Sequence, residues 1–328
     1  MTSAPTISDF TTAARIAMAA FGLDVADIAP LSHSENVVLA LTTTNDKRFA
    51  IRLHRPGYNS IAEMNSEVQF VESLRRFGVP VPTATPLTAG GHYTPVDVAG
   101  IEHQVGVVEW VRGEPLGGPL DAGGPSLVSH YRRIGELAAQ IRLHNQSWQA
   151  PAGFTRRRWD AAGLVGEAPS WGRFWEVDLL TDAQRSVFSQ ARDRLIGVLD
   201  AIPLDDNHFG LIHSDLHLGN VMADGTDLTI IDFDDSGYGY FVHELAVALH
   251  PMVGEDDFDA ALDSLVEGYR SVYPLPDADV ALIADFLAMR SLMIIGWLAA
   301  RPEVPAYAQW AEVASDVEAH ITDYLAVS

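Results

Sequence analysis

The sequence predicts an α+β chain in two lobes, a small β-rich N-terminal lobe and a larger, mainly helical C-terminal one. Three observations lead there. Strand-type runs crowd the first third of the 328 residues. A Gly- and Pro-rich stretch, "RGEPLGGPLDAGGPS" at 112–126, then interrupts the pattern. Beyond it helical periodicity dominates, broken by one acidic, strand-like stretch at 211–237, "LIHSDLHLGNVMADGTDLTIIDFDDSG". The expected boundaries are a lobe over 1–111, a hinge or linker over 112–126 and a second lobe over 127–328. This length can bury a sizeable core.

Residues 8–21 read as an amphipathic helix with Ser8 as N-cap and Gly22 as its stop. "NVVLALTTT" and "KRFAIRLH" follow as two strands of a hairpin. "NSIAEMNSEVQFVESLRRFGVPVP" reads as a helix opened by a Ser60–Glu63 capping box, with Met64, Val68, Val71 and Leu74 at helical spacing and Gly78 as its end. "GGHYTPVDVA" and "HQVGVVEWV" form a further strand pair. After the linker, "YRRIGELAAQIRLH" places Ile134, Leu137, Ala138 and Ile141 on one helix face. "TDAQRSVFSQARDRLIGVL" opens with a Thr181–Gln184 capping box. In the acidic stretch "NVMA" and "LTIIDF" flank Asp224-Gly225, a hairpin turn pair. Three long helical patterns fill 256–325.

Composition removes several function classes. The net charge is −23, so phosphate-rich nucleic acid and anionic membrane are repelled. No cysteine is present, which excludes disulfides and thiolate chemistry. The N-terminus lacks the basic flank and unbroken apolar core of a signal peptide. The most apolar run, 280–300, is interrupted by Asp285 and Arg290 and reads as a buried helix rather than a span. The expected compartment is the cytoplasm. Lys47 is the one lysine, and its surroundings do not fit a GxxxxGK[ST] phosphate loop.

Three readings compete for the crowded carboxylates of 211–237. A solvated surface hairpin fits poorly, because "LIHSD" and "TIIDF" are apolar up to their acids. A zinc or iron hydrolase would use His213, Asp215 and His217, which share one face of an extended segment. A Mg²⁺–nucleotide site would use Asp215 as base with Asn220 and Asp232 as metal ligands, since Mg²⁺ takes one or two carboxylates plus substrate phosphates. The string "GYGYF" is too short to signal a dinucleotide fold, and Asp232, Asp234 and Asp235 just before it would repel a pyrophosphate.

His213-x-Asp215-x4-Asn220, followed by a hairpin and Asp232-Phe-Asp234, resembles the bilobal protein-kinase-like fold, and more narrowly the aminoglycoside phosphotransferase and choline kinase superfamily. The likeness runs from "APLSHSENVVLAL" through "RFAIRLHRPGY", "SEVQFVESLRRFGVPVP", "VVEWVRGEPL" and "LAAQIRLHNQS" to "HSDLHLGNV" and "IIDFDD". It is similar in flavour to a bacterial branch with type II homoserine kinases and a stress-response kinase. The resemblance implies ATP and Mg²⁺ as cofactors. It implies that Asp215 accepts or orients the acceptor hydroxyl's proton, that Asn220 and Asp232 bind Mg²⁺, and that His213 braces the loop. The backbone of Trp110 and Val111, with Glu109, would meet the adenine edge. Alternation in "FAIRL" adds independent support: Ala50 and Arg52 share one strand face, suited to a base over the alanine and phosphates near the cation, with Glu67 as partner for Arg52.

Three departures accompany the likeness. Arg52 stands where lysine is usual, "SHSEN" replaces a glycine-rich loop, and Glu244 stands where aspartate is usual. Ser32, Ser34 or Asn36 would supply phosphate-side hydrogen bonds in the altered loop. These departures keep a nucleotide-binding pseudokinase open as a rival reading. The expected acceptor is a hydroxyl of a small, amine-bearing molecule, with a protein serine or threonine as alternative. Its expected lining includes Asn145, Trp159, Trp171, Asp234, Asp235 and Tyr238, with the two aspartates pairing an ammonium group or tuning Mg²⁺.

Overall fold

The computed structural model describes residues 5–33, 36–117 and 127–327. The chain divides into two compact units: residues up to Arg112 with Pro151–Thr155, and Gly113–Ala150 with Arg156–Ser328.

In the first unit α1 (Ile7–Phe21) starts at Thr6 rather than Ser8. The reason is reciprocal capping: Asp9 sits three residues after Thr6, so its N–H reaches the Thr6 hydroxyl while its carboxylate takes the Thr6 N–H at 2.7 Å. Ser8 has no acidic residue three positions on. Gly22 ends the helix with a left-handed φ of 66°. β1 (Val25–His33), β2 (Val37–Thr43) and β3 (Arg48–Leu53) follow, then α2 (Ile61–Phe77), β4 (Thr94–Val98) and β5 (Ile101–Glu109). The strands form one antiparallel sheet in the order β1-β2-β3-β5-β4. Period-two alternation in β3 sends Phe49, Ile51 and Leu53 into a core with Phe10, Ala14 and Met18 of α1. Ala50 and Arg52 take the other face and are half-buried. The Ser60–Glu63 capping box starts α2, which buries Met64, Val68, Phe70, Leu74 and, among them, Glu67.

The second unit begins with β6 (Glu114–Pro115) and α3 (Val128–Ser147), then β7 (Arg158–Trp159), α4 (Ala161–Val165) and α5 (Asp182–Ala201), the last opened by the Thr181–Gln184 box. Next come β8 (Phe209–Ile212), β9 (Val221–Asp224), β10 (Asp227–Ile230) and β11 (Gly237–Tyr240). Helices α6 (Phe241–Leu249), α7 (Phe258–Val272), α8 (Asp277–Ala281), α9 (Ile283–Ala299) and α10 (Trp310–Ala326) complete it. β10-β9-β6 and β7-β11-β8 are two small sheets. The β9–β10 turn centres on Gly225 and Thr226, one residue later than expected, because Asp224 pairs with Asp227. β11 is the "GYGY" string, so that string is a strand and not a phosphate loop. A Cβ on Gly237 would stand 2.5 Å from the Arg157 carbonyl oxygen, so close strand approach explains that glycine. One helical stretch among the described residues, Asp277–Ala299, is long and apolar enough to cross a membrane, and most of it is buried inside the protein.

Candidate active site

The acidic stretch is held by backbone contacts that cross between its two halves. β8 ends at Ile212, and the chain turns through Ser214, whose φ of 69° is left-handed and strained for a residue with a Cβ. Glu244 on α6 restrains the turn. Its two carboxylate oxygens accept the N–H groups of His213 and Ser214, each at 2.8 Å. Burial pushes the Glu244 carboxyl up to about 7, against the pull of those two bonds. The longer side chain at this position therefore still reaches the loop. His213 is fully buried. Its Nδ1 accepts the Asp215 N–H at 3.2 Å, so Nε2 carries the ring proton and donates to the Ile231 carbonyl at 2.9 Å. Desolvation lowers the His213 pKa and keeps the ring neutral. With both nitrogens engaged, His213 has no lone pair for a metal, which removes the His213–Asp215–His217 hydrolase site.

Asp215 receives three side-chain contacts. Arg290 of α9 donates from Nη2 to Oδ1 at 2.6 Å. Asn220 Nδ2 reaches Oδ2 at 3.1 Å, and His217 Nε2 lies 3.3 Å from the same oxygen. Burial alone would raise this carboxyl, but the neighbouring His217 and the Arg290 guanidinium outweigh it and hold the group well below the usual carboxylate range. Asn220 Nδ2 also donates to the Asp215 carbonyl at 2.8 Å. That acceptor fixes which end of the amide is nitrogen and turns Asn220 Oδ1 away from Asp215. The Asn220 carbonyl takes the Ile231 N–H at 2.9 Å, which sets the loop beside the end of β10. Asp232 follows directly, with a left-handed φ of 64°. Asn220 and Asp232 thus offer an amide oxygen and a carboxylate at neighbouring backbone positions. An all-oxygen pair of this kind suits Mg²⁺ completed by phosphates, and among the described residues no cluster of three or more His, Asp or Glu suits a softer ion.

Residues 27–279 match the Phosphotransferase enzyme family, APH, which is most of the chain. The chain belongs to this family. It is a kinase with an alcohol group as acceptor, built on the α+β kinase-like fold. Relatives of this phosphotransferase include the stress response kinase A of Salmonella paratyphi A and its counterpart in Salmonella typhimurium, serine/threonine protein kinase RdoA. Each is 26% identical over 281 residues, 85% of this chain and 79% of the relative. Amicoumacin kinase of Bacillus subtilis is 36% identical over 124 residues, 35% of this chain, and the match spans 37% of that enzyme. Among solved structures, a microcompartment-associated aminopropanol kinase superposes with a TM-score of 0.80 at 27% identity, covering 95% of this chain and 94% of the other. An amicoumacin kinase in complex with AMP-PNP, Ca²⁺ and Ami gives 0.73 at 20% identity, covering 93% and 92%.

Several side chains expected to meet ligands have other partners in the phosphotransferase. Asp235 is paired with Arg157 at 2.8 Å, with both side chains largely buried, so an ammonium group would have to compete with a resident guanidinium. Trp159 is completely buried and donates its indole N–H to the Asp235 carbonyl at 2.8 Å. It is packing rather than pocket wall. Trp171 is 6% exposed and packs edge-on against Trp159. The Asn145 amide is fully used between α3 and β8: it donates to Ile141 and Leu211 carbonyls and accepts the Leu211 N–H at 2.7 Å. Asp234 is buried, its carbonyl taking Arg156 Nη2 at 2.6 Å, while Tyr238 on β11 is half-buried. Arg156 also holds the carbonyls of Phe233 and Ser236, clamping the turn after Asp232.

In the first unit, Glu67 is the buried acid of α2, whereas Glu63 serves the cap and Glu72 pairs with Arg76 at the surface. Ala50 and Arg52 pair with Val108 and Gly106 of β5. Asn36 Oδ1 accepts the Arg55 N–H at 2.9 Å, and Ser34 lies outside the described residues. Glu109 donates its N–H to Thr83 and Trp110 donates to Arg48, whose guanidinium stacks 3.7 Å over the Trp110 ring. The Trp110 N–H is therefore not available to a base edge. The sequence reading missed the contact of Arg290 with Asp215, which lies 75 residues away along the chain. The one available signal for Arg290 was an arginine inside an apolar helix.

Proposed function

We propose that this chain is an ATP- and Mg²⁺-dependent phosphotransferase that moves the γ-phosphate to a hydroxyl of a small, amine-bearing molecule: an amino alcohol, hydroxy amino acid or aminosugar. The observation that carries it is the Asp215 carboxylate, held ionised by Arg290 and His217 beside an Asn220–Asp232 oxygen pair. Asp215 would accept or orient the acceptor hydroxyl's proton. Asn220 and Asp232 would hold Mg²⁺, which neutralises phosphate charge when bound. His213 and Glu244 would keep the loop in its strained turn. In the first unit, Arg52 steadied by Glu67 would attract the phosphates, with Ala50 under the base and the Glu109 carbonyl and Val111 backbone at its edge. A cytoplasmic location suits the use of ATP.

Likeness across nearly the whole chain to an aminopropanol kinase favours a small amino alcohol. The serine/threonine protein kinase among the relatives keeps a protein acceptor as the second reading. The test is Mg²⁺-dependent ADP release with aminopropanol, ethanolamine, homoserine, threonine, an aminoglycoside and a Ser/Thr peptide library. Release with one of the amine-bearing small molecules is expected, lowered at least ~10²-fold by Asp215→Ala with AMP-PNP binding retained. Asp232→Ala should abolish Mg²⁺-dependent nucleotide binding. Release with peptides alone would shift the reading to a protein kinase. Nucleotide binding with no release from any acceptor would leave a pseudokinase.

A further inference from the structure

Arg290 is 5% exposed on a helix whose neighbouring buried residues include Phe286, Met289, Leu292 and Met293. A guanidinium is costly in such surroundings unless its donors are used. Here Nη2 bonds Asp215 Oδ1 at 2.6 Å and the guanidinium carbon lies 4.7 Å over the Trp171 ring. Among the described residues the buried Nη1 has no hydrogen-bond partner. An apolar side chain of similar length would pack there with less penalty. Stability therefore does not explain an arginine at this position, and the one strong bond it makes points to Asp215.

The count of acceptor sites shows what that bond does. An ionised carboxylate offers about four acceptor sites. Asn220 and His217 fill those of Oδ2, and Arg290 fills one of Oδ1. The site that remains is on Oδ1. The terminal torsion of an aspartate is broad, so contacts to Oδ2 alone would let Oδ1 swing. We propose that Arg290 is a positioning residue for phosphoryl transfer: by gripping Oδ1 from one side it aims the remaining lone pair of that oxygen at the acceptor hydroxyl. This rests on the phosphotransferase reading above. It adds that the acceptor meets Oδ1 and not Oδ2, and that the α9 arginine acts on turnover rather than on nucleotide affinity.

The experiment compares wild type, Arg290→Met, Arg290→Lys and Asp215→Ala in three measurements. These are ADP release with the acceptor panel, calorimetric binding of AMP-PNP with Mg²⁺, and thermal midpoint. Arg290→Met is expected to lose at least ~10-fold in kcat, in keeping with the sensitivity of catalysis to small misplacements. Its AMP-PNP affinity and its KM for ATP should stay within ~3-fold, and its midpoint should be unchanged or raised. Arg290→Lys should recover part of the lost kcat, because it restores a donor to Oδ1. A kcat for Arg290→Met within ~2-fold of wild type overturns the positioning role alone. So does a loss that tracks a lowered midpoint and is not recovered by lysine. If Arg290→Met does not fold, Arg290→Gln keeps an amide donor, and the same loss confined to kcat is expected of it. A wild type that releases ADP no faster than Asp215→Ala overturns the phosphotransferase reading itself, and this inference with it.

Discussion

Two residues in the catalytic segment, Ser214 and Asp232, hold left-handed backbone conformations with φ of 69° and 64°. Each costs about 1–3 kcal/mol, and such strain persists only where surrounding bonds over-determine it. For Ser214 those bonds are the two oxygens of Glu244. Removing them in Glu244→Ala would orphan two buried N–H groups and release the turn. A loss of ~2–4 kcal/mol is expected, read as a lowered urea midpoint with the slope unchanged. Glu244→Gln separates charge from geometry. It keeps one acceptor oxygen but turns an amide nitrogen toward the second N–H, so it should fall between wild type and alanine. A midpoint for Glu244→Ala equal to wild type would show that the turn is held by something else. At this scale the sequence was legible wherever partners are close in the chain. Asp215, Asn220 and Asp232 belong to one short pattern. The ion pair of Asp235 was not legible, because nothing local announces the Arg157 that meets it across 78 residues.

Elements were legible where capping and alternation are local. The Ser60–Glu63 and Thr181–Gln184 boxes, the in-out pattern of β3 and the buried run of α9 all follow from side chains within a few residues of each other. The β7-β11-β8 sheet did not, since β7 and β11 are two and four residues long and carry Arg, Trp, Gly and Tyr rather than an alternating apolar code. Pairing between distant segments makes it, and that pairing demands glycine. A methyl group at position 237 would meet the Arg157 carbonyl oxygen at 2.5 Å, a backbone atom that cannot rotate away. Gly237→Ala is therefore expected to destabilise by ~1–3 kcal/mol and to disturb the turn clamped by Arg156, five residues after Asp232. Chemical denaturation reads the first effect, and hydrogen exchange at Tyr238 N–H, which donates to Arg157, reads the second. Unchanged protection of that amide would show that the β7–β11 contact can relax.

For the molecule as a whole, two electrostatic effects predict opposite responses to acid. A net charge of −23 repels itself, and acidification toward the isoelectric point near 4.7 relieves that repulsion, so surface charge alone would make the protein more stable as pH falls. Buried groups oppose it. His243 has no exposed surface and, among the described residues, no hydrogen-bond partner for either ring nitrogen, and His250 is tied to Ser291 at 2.8 Å. Burial, reinforced by the charge of Arg290, depresses each to about 3. Between that value and the ordinary imidazole pKa of about 6.5, the unfolded chain binds protons that the folded chain refuses. Their contribution is complete above 6.5 and is lost as pH falls toward 3. Glu244, raised to about 7, has the reverse sign: what it contributes is present below 4.5 and lost as pH rises to 7. His213, depressed by the same burial, and His144, depressed to about 4, act in the same direction, so these imidazoles outweigh the one carboxyl and stability should rise from pH 4.5 to 6.5, each group contributing at most ~1.4 kcal/mol per pH unit. Salt separates this from the surface effect, because exposed repulsion is screened at high ionic strength and buried titration is not. In ~0.5 M salt, where the Debye length is only a few ångströms, urea unfolding should show stability rising across that window. His243→Phe, which suits the aromatic contacts with Trp159 and Phe286, should lower the slope by up to ~1.4 kcal/mol per pH unit. A stability that peaks near pH 4.7 in high salt, or a slope untouched by His243→Phe, would show that these imidazoles do not govern the acid limb.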